Sequence, residues 1–242
     1  MQHFCKKNVK KLQKRFLPYI CGMEDKRLKV LIACEYSGAV RDQFIKLGHD
    51  AMSCDLLPTD NPGPHYQGDV FDIINDGWDL MIAFPPCTHL AVSGAAWFEQ
   101  KKKDGRQQQG IDFFMNIINA PIKYMAVENP IGIMSRVYRK PDQIIHPYYF
   151  GDEAQKKTCL WLKNLPPLYH NDKPNLFDPT VTHVQPKGNV IYGGKMYSWA
   201  ANKWYKDEAE RHKERSKTFP GIAKAMAEQW GKPGVIDKSL YL

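Results

Sequence analysis

What the chain lacks narrows it first. No stretch reaches the roughly 18 consecutive apolar residues that a membrane-crossing helix needs. The lysine-rich start has no apolar signal core, so no secretion signal is expected. There is no CxxC pair and no Cys/His cluster with zinc spacing, so no metal is expected, and without a spanning run no membrane partner is expected either. The six cysteines (5, 21, 34, 54, 87 and 159) stand apart, and that scatter argues for a reducing, cytoplasmic setting rather than a disulfide framework. A GxGxxG fingerprint is missing, which disfavours a dinucleotide with its pyrophosphate. There is no internal repeat and no low-complexity tract, and nothing in the sequence sets an oligomeric state.

What is present reads as globular. At 43% hydrophobic and 12% aromatic residues the composition supports a sizeable core, and 242 residues suit one large α/β domain, or one domain plus a small insertion. The net charge of +8 points to a polyanion. Residues 1–22, however, carry Lys6, Lys7, Lys10, Lys11, Lys14 and Arg15 with no acid, which leaves the body near +2. Met23 stands directly before the first convincing strand. Residues 1–22 therefore read either as a flexible nucleic-acid arm or as the product of an upstream start that the cell does not use.

The first half alternates strand and helix signals. Leu28–Cys34 is a buried strand, Ala39–Leu47 a helix closed by Gly48, and Asp50–Leu56 a second strand. Residues 57–68, with three Pro and two Gly, form a loop, and Gly68-Asp69-Val70 precedes a third, edge strand. Trp78–Phe84 is a buried strand stopped by Pro85-Pro86, Gly110–Ile118 an amphipathic helix, and Lys123–Val127 a further strand. This rhythm predicts an α/β fold with a doubly wound, mostly parallel sheet. Later, Thr158–Leu162 is the one clear strand, Lys206–Arg215 a charged helix or linker, and Gly221–Trp230 a helix with an apolar face. The expected division is a basic extension (1–22), a catalytic and cofactor-binding domain (23–162), a small irregular target-recognition subdomain (163–215), and a C-terminal segment (216–242) returning to the catalytic domain.

Three signals carry chemistry. Phe84-Pro85-Pro86-Cys87 ends a buried strand, where prolines remove backbone freedom around a thiol. A thiolate added to C6 of a cytosine ring turns C5 into a carbanion-like centre that accepts a methyl group. The bland alternative is a buried, inert cysteine at a proline turn. Val127-Glu128-Asn129-Pro130 ends the next parallel strand, on the same rim, and an acid there could protonate ring N3; otherwise Glu128 is a solvated strand-end charge. Glu35-Tyr36-Ser37-Gly38, Asp55 and Asp69 stand at successive strand ends, which suits a ligand with ribose hydroxyls and an amino-bearing base; otherwise the two aspartates merely end their strands.

CEYSG, Asp55, GDV, FPPC and VENP occur in the order seen in DNA cytosine-5 methyltransferases, and the chain resembles the compact phage-type members over roughly residues 28–231. The resemblance implies a Rossmann-like, S-adenosylmethionine-dependent fold and DNA as partner, in the host cytoplasm if the chain is phage-encoded. It implies that Cys87 attacks C6 and Glu128 contacts N3. It places Glu35, Tyr36, Ser37, Gly38, Asp55, Asp69 and Pro85 around S-adenosylmethionine, and Pro86, Asn129 and Lys157 at the substrate. Ser216–Gly231 resembles the last family motif, whose helix covers the cofactor.

Two departures stand out. Gln155-Lys156-Lys157-Thr158-Cys159 replaces the family's QxRxR, with Lys157 and Cys159 at the two Arg positions; Arg136, Arg139 and Lys156 are candidates for the missing charge. The recognition region is also short, although Lys163, Lys173, Lys187, Lys195, Lys203 and Lys206 are interleaved there with Tyr169, Tyr192, Tyr197, Trp199, Trp204 and Tyr205. His89 and the run Lys101-Lys102-Lys103 with Arg106 follow the nucleophile, and Ser93-Gly94 could hinge that loop. Other readings stay open: an enzyme acting on free pyrimidine nucleotides, one transferring a modified one-carbon group to DNA, and a non-catalytic DNA-binding relative. Amino-directed methyltransferases are disfavoured, because they place a polar residue before the prolines and an aromatic after them.

Overall fold

A computed structural model describes residues 27–174, 178–186, 190–192, 195–197, 206–207 and 213–232. The extension 1–22 lies outside them, as do the side chains of Lys187, Tyr192, Lys195, Tyr197, Trp199, Lys203, Trp204 and Tyr205.

Strand β1 (Lys29–Ala33) leads through helix α1 (Ala39–Lys46) to β2 (Asp50–Asp55) and the short β3 (His65–Gln67). Strand β4 (Leu80–Ala83) is followed by α2 (Phe98–Lys103), α3 (Arg106–Ile118) and β5 (Tyr124–Pro130). Then come α4 (Met134–Val137), β6 (Gln143–Ile145), β7 (Thr158–Lys163), the hairpin β8 (Val190–Tyr192) and β9 (Lys195–Tyr197), and α5 (Pro220–Trp230). Seven strands form one mixed, mostly parallel sheet in the order β3-β2-β1-β4-β5-β7-β6, with β7 antiparallel to both its neighbours. The fold is α/β and compatible with a Rossmann-like arrangement.

The central strands are apolar along their whole length because both sheet faces are covered. Alternation sends Val30, Ile32, Leu80, Ile82, Ala126 and Leu160 to a core shared with α1 and α5. Leu31, Ala33, Met81, Met125, Val127 and Trp161 point the other way, to Phe114 and Ile117 of α3. Among the described residues no helix is long and apolar enough to cross a membrane.

The structure corrects three expectations. The third strand precedes Gly68 rather than following Val70: His65–Gln67 pairs with Ser53–Asp55, and Val70–Asp72 is a 3-10 turn whose cap, Asp69, accepts from Phe71 N at 3.0 Å. Three edge residues in a Pro/Gly-rich loop take their register from β2 and have too little pattern of their own. Strand β5 does not stop at Val127 but runs to Pro130, because β7 pairs with it through Glu128↔Leu160 and Asn129↔Cys159. The boundary drawn at 162/163 falls inside the core: Leu165 and Leu168 are buried with Leu160 and Trp230, and Trp230 Nε1 donates to Pro166 O at 2.9 Å. Of the charged segment 206–215, residues 213–215 begin a helical turn that ends at 216, and 208–212 lie outside the described residues.

Candidate active site

In an open α/β sheet, ligands settle beyond the C-terminal strand ends where the strand order reverses. Here the reversal lies between β1 and β4. The segments leaving those two strands are Glu35–Gly38 and Phe84–Cys87, so the fold brings two of the sequence signals to one crevice. Phe84 N donates to Ala33 O at 2.9 Å and joins them.

The FPPC and VENP segments are stitched together. Asn129 is 1% exposed, and its Nδ2 donates to Pro85 O at 2.9 Å. Leu90 N and Ala91 N both donate to Cys87 O at 3.0 Å, which closes a turn on the cysteine. Val92 N donates to Ile131 O, and Ile133 N to Leu90 O, each at 3.0 Å. Gly132 permits this approach: a Cβ there would sit 2.3 Å from Leu90 O.

Cys87 is half-buried at the rim, beside an exposed Pro86 and a buried Pro85. Its thiol is pushed up, first by burial and then by the charge of Glu128, while Lys156 and Arg215 pull it down. The resting group is therefore a thiol, not the thiolate the chemistry uses. Burial raises the Glu128 carboxyl too, opposed by Lys156 and by a hydrogen bond from the Thr158 side chain. The two effects are linked: once Glu128 is protonated, its repulsion of a Cys87 thiolate disappears.

The charge felt by both groups is that of Lys156. Lys157, expected at the substrate, is exposed, and its charge acts on His146. A one-residue offset decides this: Lys156 is half-buried and Lys157 is exposed. Arg139 is committed elsewhere: it holds Asp142 through two bonds of 2.8 and 2.7 Å, and its carbonyl accepts from Trp161 Nε1. Arg136 is exposed. Cys159 is fully buried, its thiol pushed up to about 11 by burial and by Glu128.

On the other side of the crevice, Glu35 is 4% exposed. Its Oε1 accepts from the Ser37 hydroxyl and from Ala39 N, while Oε2 is buried without a partner. Burial raises this carboxyl. Gly38 takes a left-handed φ of 75° to start α1. Tyr36 is buried; its hydroxyl donates to Lys213 O and accepts from Ser216 Oγ at 3.3 Å, so residues 213–216 close over this loop. Asp55 is half-buried and accepts from Leu57 N at 2.9 Å, whereas Asp69 is exposed. Both carboxylates, after burial, help raise the Cys34 and Cys54 thiols, the latter to about 12, which places the two acids around the ends of β1 and β2.

Sequence reasoning missed Lys101. It is 8% exposed and its Nζ donates to Thr88 O at 2.7 Å, although a lysine inside a Lys-Lys-Lys run carries every sign of a solvated charge. It also left Arg215 without a role. His89 Nδ1 is buried without a partner, and nearby cations Lys101 and Arg106, after burial, hold the ring below the ordinary imidazole range. Among the described residues no group of three or more His, Cys, Asp or Glu could hold a metal ion. No family model matches the chain, and no curated protein matches it.

Proposed function

We propose that the chain transfers a methyl group from S-adenosylmethionine to C5 of cytosine in DNA, with Cys87 as nucleophile and Glu128 as acid. The observation that carries this reading is the stitched rim: a thiol just beyond the end of β4 and a carboxyl near the end of the adjacent β5, with the thiol feeling the carboxyl's charge. The residues of the neighbouring crevice fit the cofactor. Glu35 offers a buried carboxylate oxygen with no partner, Asp55 a half-buried carboxylate, and Leu56 and Leu57 apolar surface at 73% and 47% exposure beside it. When bound, the cofactor supplies an electrophilic methyl group.

The chain's own residues then act as follows. The Cys87 thiol gives its proton to solvent and its sulfur adds to C6, while Glu128, whose protonated form burial favours, donates to N3, and the ring electrons move to C5. Protonation of the acid and ionisation of the thiol favour each other, and Lys156 with Arg215 supplies positive charge to the nascent thiolate. Asn129, through Pro85 O, fixes the distance between the two groups. After C5 is substituted, N3 returns its proton to Glu128, water takes the C5 proton, and the C6–S bond breaks to restore the ring and release a thiolate that solvent reprotonates. The target base has to leave the duplex to reach this rim.

The test is transfer of labelled methyl groups from S-adenosylmethionine by the full chain and by Cys87→Ser. The reading expects label in cytosine of DNA with the parent and none with the variant. Label in dCMP or dUMP instead would favour a nucleotide enzyme, and retained transfer by Cys87→Ser would remove the mechanism.

A further inference from the structure

We propose that Asp60 is a positioning residue for Cys87: it clamps Lys213 and Lys217 and so holds residues 213–217 as a strap across the crevice, with Arg215 on the thiol side. The proposal rests on Cys87 being the reactive group of the site. Asp60 Oδ1 accepts from Lys213 Nζ at 2.7 Å, and Lys217 Nζ lies 3.1 Å from its Oδ2. Part-exposed ion pairs contribute little on their own. What sets these apart is that both ends are anchored and that the strap reaches the cations acting on the nucleophile.

Asp60 sits in the loop that follows β2, and its N donates to Tyr36 O at 3.0 Å. Its neighbours Thr59 and Asn61 are held by Arg41 of α1. That guanidinium is fully buried and donates to Thr59 Oγ1 at 3.3 Å and to Asn61 O at 2.9 Å. Gly63 leaves room for it, since a Cβ there would lie 2.8 Å from the guanidinium carbon. On the strap, the Lys213 carbonyl accepts from the Tyr36 hydroxyl, and the Lys213 ammonium stands 5.2 Å over the Tyr36 ring. Against partial burial, hydrogen bonds from the two lysines hold the Asp60 carboxyl below the ordinary carboxylate range.

Residues four apart share one helical face, and the residue midway between them looks away from it. Residues 213–216 form a helical turn, so clamping Lys213 and Lys217 to Asp60 leaves Arg215 on the far side of the strap. Among the described residues Lys213 and Lys217 are paired with Asp60 and Glu214, while Arg215 has no ion pair. The Lys156 ammonium, the other cation felt by Cys87, donates to Arg215 O at 3.5 Å. The strap thus joins the Tyr36 side of the crevice to both cations that act on the thiol. Releasing it from Asp60 withdraws Arg215 and takes from Lys156 its acceptor.

The test is the pH profile of iodoacetamide alkylation of Cys87 in the full chain, read by peptide mass spectrometry; the charged groups that act on the thiol are Glu128, Lys156 and Arg215. Asp60→Asn should move the midpoint to higher pH, because releasing the strap withdraws positive charge from the thiolate. The sign decides. Loss of the Asp60 charge acting through space would move the midpoint to lower pH, and a merely structural role would leave it in place; either result overturns the proposal. Asp60→Glu should restore the parental midpoint. Arg215→Met should raise the midpoint in the parent and add little in Asp60→Asn, and equal shifts in both backgrounds overturn the proposal. Trypsin cleavage after Arg215 should quicken roughly 2- to 30-fold in Asp60→Asn, the range set by two part-exposed ion pairs, and an unchanged rate refutes the strap. None of these assays needs cofactor, DNA or turnover. A midpoint moved upward without methyl transfer would leave this proposal standing and remove the enzymatic reading; methyl transfer with an unmoved midpoint would do the reverse.

Discussion

Gly132 tests the stitching of the two loops through a single methyl group. A Cβ there would lie 2.3 Å from Leu90 O, 3.0 Å from Leu90 C and 3.2 Å from Ala91 Cα, all backbone atoms that cannot swing aside. Reaching an ordinary 3.4 Å contact means parting segments 87–92 and 131–133 by about 1 Å. That strains both hydrogen bonds between them, Val92 N to Ile131 O and Ile133 N to Leu90 O. At roughly 0.5–1.5 kcal/mol each, Gly132→Ala should cost about 1–3 kcal/mol. In a chain of this size that lowers Tm by roughly 2–12 °C. A displacement of about 1 Å beside the reacting atoms should also slow methyl transfer on the order of a hundredfold. Gly77→Ala is the control: its φ of 75° is unfavourable for alanine, but no heavy atom lies within 4 Å. It should lower Tm by a few degrees and leave Cys87 unaffected. The assay is thermal melting, with iodoacetamide alkylation of Cys87 followed by peptide mass spectrometry. If Gly132→Ala melts with the parent and Cys87 reacts at the parental rate, the reasoning fails.

Other outcomes follow from the electrostatics. Glu128→Gln removes a charge that keeps Cys87 protonated, so the alkylation profile of Cys87 should move to lower pH while methyl transfer falls by roughly 10²- to 10⁴-fold; an unmoved profile would mean the groups are not neighbours. Lys156→Met should move the same profile upward, with Lys156→Arg restoring it. Burial, reinforced by Lys157 at His146 and by His183 at His170, holds both imidazoles below their ordinary range. The unfolded chain then binds more protons, so their contribution is complete above the unfolded value near 6.5 and is lost as pH falls through the window below it. Raised carboxyls such as Glu35 and Glu128 titrate in the opposite sense. The measurement is therefore a difference: the stability of the parent relative to His170→Phe in urea should fall from pH 8 to pH 5, and a constant difference would refute the assignment.

The sequence was most legible where information is local. LKVLIAC and WDLMIAF are apolar runs bounded by turn residues, and they became β1 and β4 because both faces of the sheet are covered. CEYSG and FPPC lie at the ends of β1 and β4, as their place in the sequence foretold. What stayed hidden depends on partners distant in sequence. Strand β5 runs through Glu128–Pro130 only because β7 returns antiparallel beside it, 32 residues later at the Glu128↔Leu160 pair, bringing Thr158 to the Glu128 carboxyl and burying Cys159. Lys156 and Lys157 are indistinguishable as letters, yet only one charge acts on Cys87 and Glu128. Lys101 looked solvated because its acceptor, a backbone carbonyl, leaves no mark in a sequence.

The most direct measurement of the central claim is a mass spectrum of the chain after reaction with DNA carrying 5-fluorocytosine. Fluorine at C5 blocks the last elimination, so a covalent intermediate persists. With S-adenosylmethionine present, the peptide containing Cys87 should gain the mass of the methylated nucleotide, and Cys87→Ser should show none. An unmodified Cys87 peptide, or an adduct on any other cysteine, would contradict the account.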